Sequence, residues 1–369
     1  MKATATIVAT LLVSLSTNVQ AHGPDQPKHQ FAALGDLSLE AGGSVRNLRM
    51  SYVTHGRLAA AKDNAILVLH GFGANHHLFD GLIGPGKAFD TDRYFIIASD
   101  AFGSTQTGFD HSTGPTNSGL KMSFPPYNGR DMIKAQHKLV TEGLGIKHLV
   151  AVAGISMGAD QAVQFAVSYP DFMDHAIPIA GGALWGTQGF FFHTQLQSIL
   201  ENCEGWKGGA YVDNPRACAA NALGALVPYF YSREWWDENI ASPDAFAQWR
   251  KGWGDFYLDI QEARDLLYLS RALGRGWVGN TPGFDGDVNA ALKSIKAKVL
   301  FVVSSQDQFF LPKHIETQRK LIPNARVVSI DSSAGHIICC GGDPQAYWVM
   351  DRAISGMLRE SATTKSVSR

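Results

Sequence analysis

Three side chains in the 369-residue sequence have the types and positions that acyl chemistry requires. Ser156 stands at the centre of Gly154-Ile155-Ser156-Met157-Gly158-Ala159, after the apolar run HLVAVA and before a helical pattern. A serine between two glycines at such a strand-to-helix corner lifts its hydroxyl above the sheet and brings the next amide, that of Met157, to the same space. A hydroxyl is a weak nucleophile at neutral pH and needs a base within hydrogen-bond reach. His336 has the position for that base, in the Gly-preceded loop after the apolar stretch 325–330. Asp307 follows the run VLFVVSS and precedes a helix opening at Pro312, where an acid orients the imidazole and stabilises its cation without taking the proton. Asp331 and Asp343 are the rival acids. An oxyanion needs a second backbone donor, and His70-Gly71-Phe72-Gly73 offers the amide of Phe72 beside that of Met157. Losing one such donor costs on the order of 10²–10³ in rate. Together these residue types point to substitution at an acyl carbon through a covalent intermediate on Ser156.

These residues need a sheet that ends beneath them. The runs AILVLHG (65–71), YFIIASD (94–100), HLVAVAG (148–154), DHAIPIAG (174–181) and KVLFVVSS (298–305) are short and continuously apolar, as strands buried on both faces are. Helical patterns at 129–145 and 157–170 separate some of them, so a mostly parallel, doubly wound sheet is expected, led by antiparallel strands in SVRNLRMSYVTHG. Between 183 and 289 the alternation stops. This stretch reads mostly helical and carries seven of the eight tryptophans. It is too long for a loop and is bracketed by strands of one sheet, which makes it an inserted helical cap over the strands' carboxyl ends. The core would then comprise 22–182 and 290–369; a second independent domain is the alternative. Trp185, Phe190 and Phe191, next to Phe192, are the candidate substrate contacts in the cap, with cap core as the other reading.

Composition narrows the partners. Charged residues make up 18% and the formal charge is −1, so no basic field attracts nucleic acid. Residues 1–21 have Lys2 as their only charge, then an apolar stretch and small residues at Val19 to Ala21, which reads as a secretory signal peptide cleaved after Ala21. Losing Lys2 leaves 31 basic against 33 acidic residues, a balance of −2. No later stretch has about 18 uninterrupted apolar residues, so a chain without a membrane span, in the periplasm or secreted, is expected. Cys203 and Cys218 fall in a Gly- and Asn-rich segment and suit a disulfide in an oxidising compartment, two free thiols being the alternative. Cys339 and Cys340 are adjacent, and their pairing stays open. No His/Cys spacing suggests zinc, and neither a structural metal nor a cofactor is expected.

Beyond the serine motif, the stretches LIGPGKAFDTDRYFII (82–97), GSTQTGFDHSTGPTNSG (103–119), RDMIKAQHKLVTEGLGI (130–146), GWKGGAY (205–211) and DLLYLSRAL (265–273) carry a family likeness. On them the chain resembles the homoserine O-acetyltransferase family of the α/β-hydrolase superfamily. The resemblance implies the α/β-hydrolase fold, an acyl group carried on Ser156, and Asp307 and His336 completing a triad. Three positions depart from the family pattern. Its usual G-G-S-M-G-G elbow has Ile155 and Ala159 here. Its aspartate after the catalytic histidine, which holds the substrate ammonium, is replaced by Ile337. Its arginine in the first cap helix, which meets the substrate carboxylate, is matched by Leu196 within FFHTQLQSIL, a stretch without Lys or Arg. Both charges that recognise an amino acid are therefore missing. Acetyl-CoA is a cytoplasmic metabolite, so an exported enzyme would lack that donor and have water as acceptor. The expected function is hydrolysis of a carboxylic ester, or an amide, through an acyl-enzyme on Ser156, with the cap aromatics suggesting an apolar or aromatic acyl or alcohol group. An O-acyltransferase and a non-catalytic binding protein are the alternatives, and the oligomeric state stays open.

Overall fold

The computed structural model describes residues 26–103, 106, 111–183, 186–253, 257–258, 260–274 and 278–367. The expected signal peptide and Trp185 lie outside them. Eight strands form the main sheet: β1 (Gln30–Ala33), β2 (Arg49–His55), β3 (Ala65–Leu69), β4 (Phe95–Ser99), β5 (Leu149–Ile155), β6 (Met173–Ile179), β7 (Lys298–Ser304) and β8 (Ala325–Ile330). Their order is β1-β2-β4-β3-β5-β6-β7-β8. The two leading pairings, β1 with β2 and β2 with β4, are antiparallel, and the other five are parallel.

Every residue of β3 is buried, and its side chains divide by alternation. Ala65, Leu67 and Leu69 enter the core on one face, Ile66 and Val68 the core on the other. Burying each such branched side chain stabilises the fold by about 1.5–3 kcal/mol relative to exposure. Helices α1 (Gly129–Lys138) and α2 (Met157–Ser168) cover the first face with Met132, Ala162, Val163 and Phe165. The C-terminal helix, Pro344–Val367, covers the second with Met350, Ile354 and Met357. Two-sided burial explains why the central strands read as unbroken apolar runs. The order reverses between β3 and β5, whose pairing ends at Leu69 and Gly154. Ligands of open parallel sheets bind at such a reversal, beyond the carboxyl ends.

β6 and β7 pair directly, yet helices run between them in sequence. These are α3 (Gly186–Glu201), α4 (Arg216–Gly224), α5 (Arg233–Asn239), α6 (Pro243–Trp253), α7 (Ala263–Leu273) and α8 (Val288–Lys293), the last crossing the expected boundary at 289. α3 packs on α4 and α7. α7 is fastened to the loop after β4 by buried polar groups. Glu262 accepts from the backbone amides of Arg264 and Asp265 and from the hydroxyls of Tyr211 and Thr116, while Asp265 accepts from the Thr116 amide. Tyr268 donates its hydroxyl to the Phe124 carbonyl at 2.8 Å. The insertion therefore rests on the sheet through specific bonds as well as apolar contact.

A disulfide joins Cys203, just past α3, to Cys218 in α4, with a sequence separation of 15. Closing a loop of that size contributes about 3 kcal/mol in the chain-entropy account. A non-reduced digest is expected to yield the Cys203–Cys218 peptide pair, and reduction to lower the melting temperature. Free thiols at both positions in protein made in an oxidising compartment would contradict this. Cys339 is buried and Cys340 exposed, and both are free.

Candidate active site

Ser156 occupies the single-residue corner between β5 and α2, with φ 55° and ψ −116°. A non-glycine residue with this backbone costs on the order of 1–3 kcal/mol, so its surroundings must impose it. They do so by close approach. A Cβ on Gly154 would lie 1.8 Å from the Gly158 carbonyl oxygen, and one on Gly158 would lie 1.9 Å from the Leu69 carbonyl oxygen. The corner is held from the neighbouring strand too, where the Ile179 carbonyl accepts from the Ser156 amide at 2.9 Å. Ala159 packs against Gly181, where a Cβ would come within 2.6 Å of the alanine methyl.

His336 and Asp307 come to this corner from the ends of β8 and β7. His336 Nε2 lies 2.9 Å from Ser156 Oγ, and its Nδ1 lies 2.9 Å from Asp307 Oδ2. Asp307 Oδ1 is held by the amides of Phe309 and Phe310, at 2.8 and 3.0 Å, which turns Oδ2 toward the imidazole. A carboxylate only accepts, so Nδ1 carries the proton and the Nε2 lone pair faces the serine hydroxyl. The rings of Phe309 and Phe310 lie 4.8 and 5.8 Å from the imidazole and shield it from water. Gly335 has φ +58°, and a Cβ there would come within 2.9 Å of the Ser232 nitrogen, so the histidine loop leans on the insertion. The rival acids are engaged elsewhere. Asp331 accepts from the Ser305 hydroxyl; Asp343 accepts from the Ser332 hydroxyl and caps the C-terminal helix through the amides of Gln345 and Ala346.

The Phe72 loop is pinned from several sides. Tyr257 donates its hydroxyl to the Phe72 carbonyl, and Gln106 and Gln261 donate to the Gly73 carbonyl at 2.9 and 3.0 Å. The Ala101 amide donates to His70 Nε2 at 2.9 Å, so the ring proton sits on Nδ1, 2.8 Å from the Gly71 carbonyl. Burial lowers the His70 pKa and keeps this buttress neutral. A Cβ on Gly71 would lie 3.4 Å from that of Ser156, so this loop runs directly past the nucleophile position. Met157 is fully buried at the first helical position after Ser156.

Of the expected aromatic contacts, Phe190 and Phe191 lie on the exposed side of α3. Phe190 and Phe191 are 43% and 61% exposed. The ring that α3 brings to the site is Phe192, 6.1 Å from the Phe72 ring and 6.3 Å from that of Phe309. The helical period decides this, because Phe192, Leu196 and Leu200 form its buried stripe. Three polar residues went unread in the sequence. His193 and Gln197 contact the Ser270 hydroxyl across α7, each at 3.1 Å, and the His193 ring lies 5.7 Å from Phe72. Burial pushes the His193 pKa down to about 3, so it is uncharged at neutral pH. Asp160, one turn into α2, is held well above the usual carboxylate range by burial. The i, i+4 spacing of His193 and Gln197 on an apolar helix was the signal available. Leu196 is fully buried and Ile337 nearly so, and neither brings a charge.

Residues 64–343 match the family described as alpha/beta hydrolase fold. The chain is 31% identical to a homoserine O-acetyltransferase of Leptospira biflexa serovar Patoc, over 83% of this chain and 88% of that one. It is 30% identical to an ethyl acetate hydrolase of Pseudomonas veronii, over 92% of this chain and 97% of the other. Among solved structures it is similar to that of the acetyl esterase MekB, with a TM-score of 0.83 and 29% identity, covering 92% of this chain and 97% of that one.

Proposed function

The chain belongs to the alpha/beta hydrolase fold family, in its homoserine O-acetyltransferase-like branch, and from that premise we propose that it hydrolyses small carboxylic esters through an acyl-enzyme on Ser156. The observation that carries this is the hydrogen-bonded chain Ser156–His336–Asp307, with its proton direction set by the two amides on Asp307. Ser156 Oγ attacks the acyl carbon as His336 Nε2 takes its proton. Asp307 stays ionised and stabilises the imidazolium. The amides of Phe72 and Met157 receive the negative charge on the carbonyl oxygen. The C–O bond to the alcohol then breaks, and the alcohol leaves with the proton from His336. A water molecule, deprotonated by the same nitrogen, attacks the acyl-enzyme and releases the acid.

Water and a short acyl group are favoured over homoserine and acetyl-CoA by three observations. Leu196 and Ile337 are apolar where an amino-acid substrate would need an arginine and an aspartate. His193, whose ring lies 5.7 Å from that of Phe72, is neutral and offers no charge for an amino-acid substrate. The similar proteins named ethyl acetate hydrolase and acetyl esterase act on acetyl esters. Acyl transfer to another alcohol is the second reading, favoured by the relatives named homoserine O-acetyltransferase. Among the described residues no helix is long and apolar enough to cross a membrane. Export through the leader at 1–21, with the periplasm or the medium as destination, is part of the proposal, and the Cys203–Cys218 disulfide supports it.

A panel of p-nitrophenyl esters of increasing acyl length tests this reading. Acetate to butyrate are expected to turn over fastest, and Ser156 alone among the serines to be labelled by a fluorophosphonate. Thiol release from acetyl-CoA that depends on added homoserine would overturn the choice of hydrolysis. Product partitioning toward an added alcohol would favour the second reading.

A further inference from the structure

A second group of chemically competent side chains lies outside the Ser156 site. His29, His76 and Asp100 each bring a potential ligand atom within 4.8 Å of the others. His29 belongs to the segment leading into β1, His76 to the short turn His76–Phe79 after the Phe72 loop, and Asp100 follows β4 directly. Asp100 is fully buried, and each of its oxygens is used. Oδ1 faces His76 Nδ1 at 2.9 Å and accepts from the His76 amide at 3.1 Å, while Oδ2 accepts from the Ser51 hydroxyl at 2.8 Å. Both oxygens of Asp100 thus act as acceptors, Oδ1 from the His76 amide and Oδ2 from the Ser51 hydroxyl, and Oδ1 faces the His76 ring in the same role. His76 therefore carries its proton on Nδ1, and its Nε2 lone pair points away from Asp100. What that lone pair faces is the Nε2 of His29, at 3.3 Å.

At 3.3 Å this separation is at the long end for a hydrogen bond. It matches the edge of a tetrahedron. Two nitrogens about 2.0–2.1 Å from one ion at tetrahedral angles lie roughly 3.3–3.4 Å apart. A carboxylate behind a ligating histidine fixes its tautomer and ring orientation. Beside His76 is a cavity of about 260 Å³ lined by His55, His77 and Asp80, among others. Within the described residues the buried Nε2 of His55 has no hydrogen-bond partner. From this geometry we infer that His29 and His76 bind a divalent cation of the zinc class through their Nε2 atoms, with Asp100 orienting His76. The remaining positions would be filled by water. Imidazole ligation suits zinc or copper rather than calcium or magnesium. The ion would clip the segment before β1 to the loop that carries Phe72, and no group in the Ser156–His336–Asp307 chain takes part.

The test uses the untagged chain, stripped of metal with a chelator and titrated with Zn²⁺ by calorimetry. One ion per chain is expected, with a higher melting temperature. The variants His29→Ala and His76→Ala should each weaken binding by at least about tenfold, and Asp100→Asn by about 10–100-fold, as outer partners of metal ligands do. His29 is half-buried in the lead segment, so His29→Ala should fold even where Asp100→Asn does not. Its ester turnover without zinc should equal that of the zinc-free parent. No saturable zinc binding by the parent, or binding unchanged in His29→Ala, would overturn the site and leave a plain His29–His76 hydrogen bond.

Discussion

Replacing Ser156 or His336 by alanine is expected to lower kcat on the best ester by about 10⁶, and Asp307→Asn by about 10⁴. The three act as one unit, so the double variant Ser156→Ala/His336→Ala should lose little more than either single one. The asymmetry follows from the geometry. Without Ser156 or His336 there is no activated nucleophile. In Asp307→Asn the amides of Phe309 and Phe310 can still hold the side-chain oxygen, but its NH₂ group then faces the imidazole and demands the wrong tautomer. Steady-state kinetics on one ester, with melting curves to show that each variant is folded, would measure this. A folded Ser156→Ala enzyme with near-normal turnover would end the acyl-enzyme proposal.

A second large effect is expected at glycines that carry no chemistry. Gly158→Ala puts a methyl 1.9 Å from the Leu69 carbonyl oxygen, and Gly154→Ala one 1.8 Å from the Gly158 carbonyl oxygen. Both obstacles are backbone, one in the first turn of α2 and one at the end of β3, and neither can swing aside as a side chain would. Each substitution should cost about 4–5 kcal/mol or more, at the extreme of single-residue effects. Gly252→Ala is the control. It lies in α6 with open space around its Cβ, and should raise stability by about 0.5–1 kcal/mol through helix propensity. Denaturant midpoints of the three variants give the comparison. A Gly158→Ala protein as stable as the parent would mean that the close packing of β3 on the elbow is absent.

The same physics decides what was readable from the sequence. The central strands were legible because two-sided burial leaves no polar positions, as in the fully buried β3. Ser156, Asp307 and His336 could be proposed from the sequence because each stands in the corner or loop that follows a strand, and strand ends converge on one rim of a parallel sheet. Composition marks α3 as aromatic but not which face it turns to the sheet, so it could not rank Phe192 above Phe190 and Phe191. Phe192, Leu196 and Leu200 carry that information only once the helix is docked. Asp343 could have been set aside earlier, since an acid directly before Pro344 is a helix start signal. The contact of His193 with Ser270, and that of His29 with His76, joins segments far apart in sequence with no period to announce it. Such pairs come from how helices and loops settle, which local patterns do not encode.

The insertion between neighbouring strands also sets an order of events during synthesis. β6 ends at Ile179 and its partner β7 begins only at Lys298. At roughly 5–20 residues per second, the ribosome needs on the order of 10 s to supply that partner. Until then the apolar strand MDHAIPI is an open edge, the kind of surface that recruits other chains. The closure itself is cheap, because each doubling of loop length costs only about 0.6 kcal/mol. Time, not free energy, is what the long excursion demands. Helices α3, α4 and α7 already contact one another within the insertion, so this bundle can form first and bring its two ends together. Its production yield should therefore depend more on chaperone supply and translation speed than on equilibrium stability.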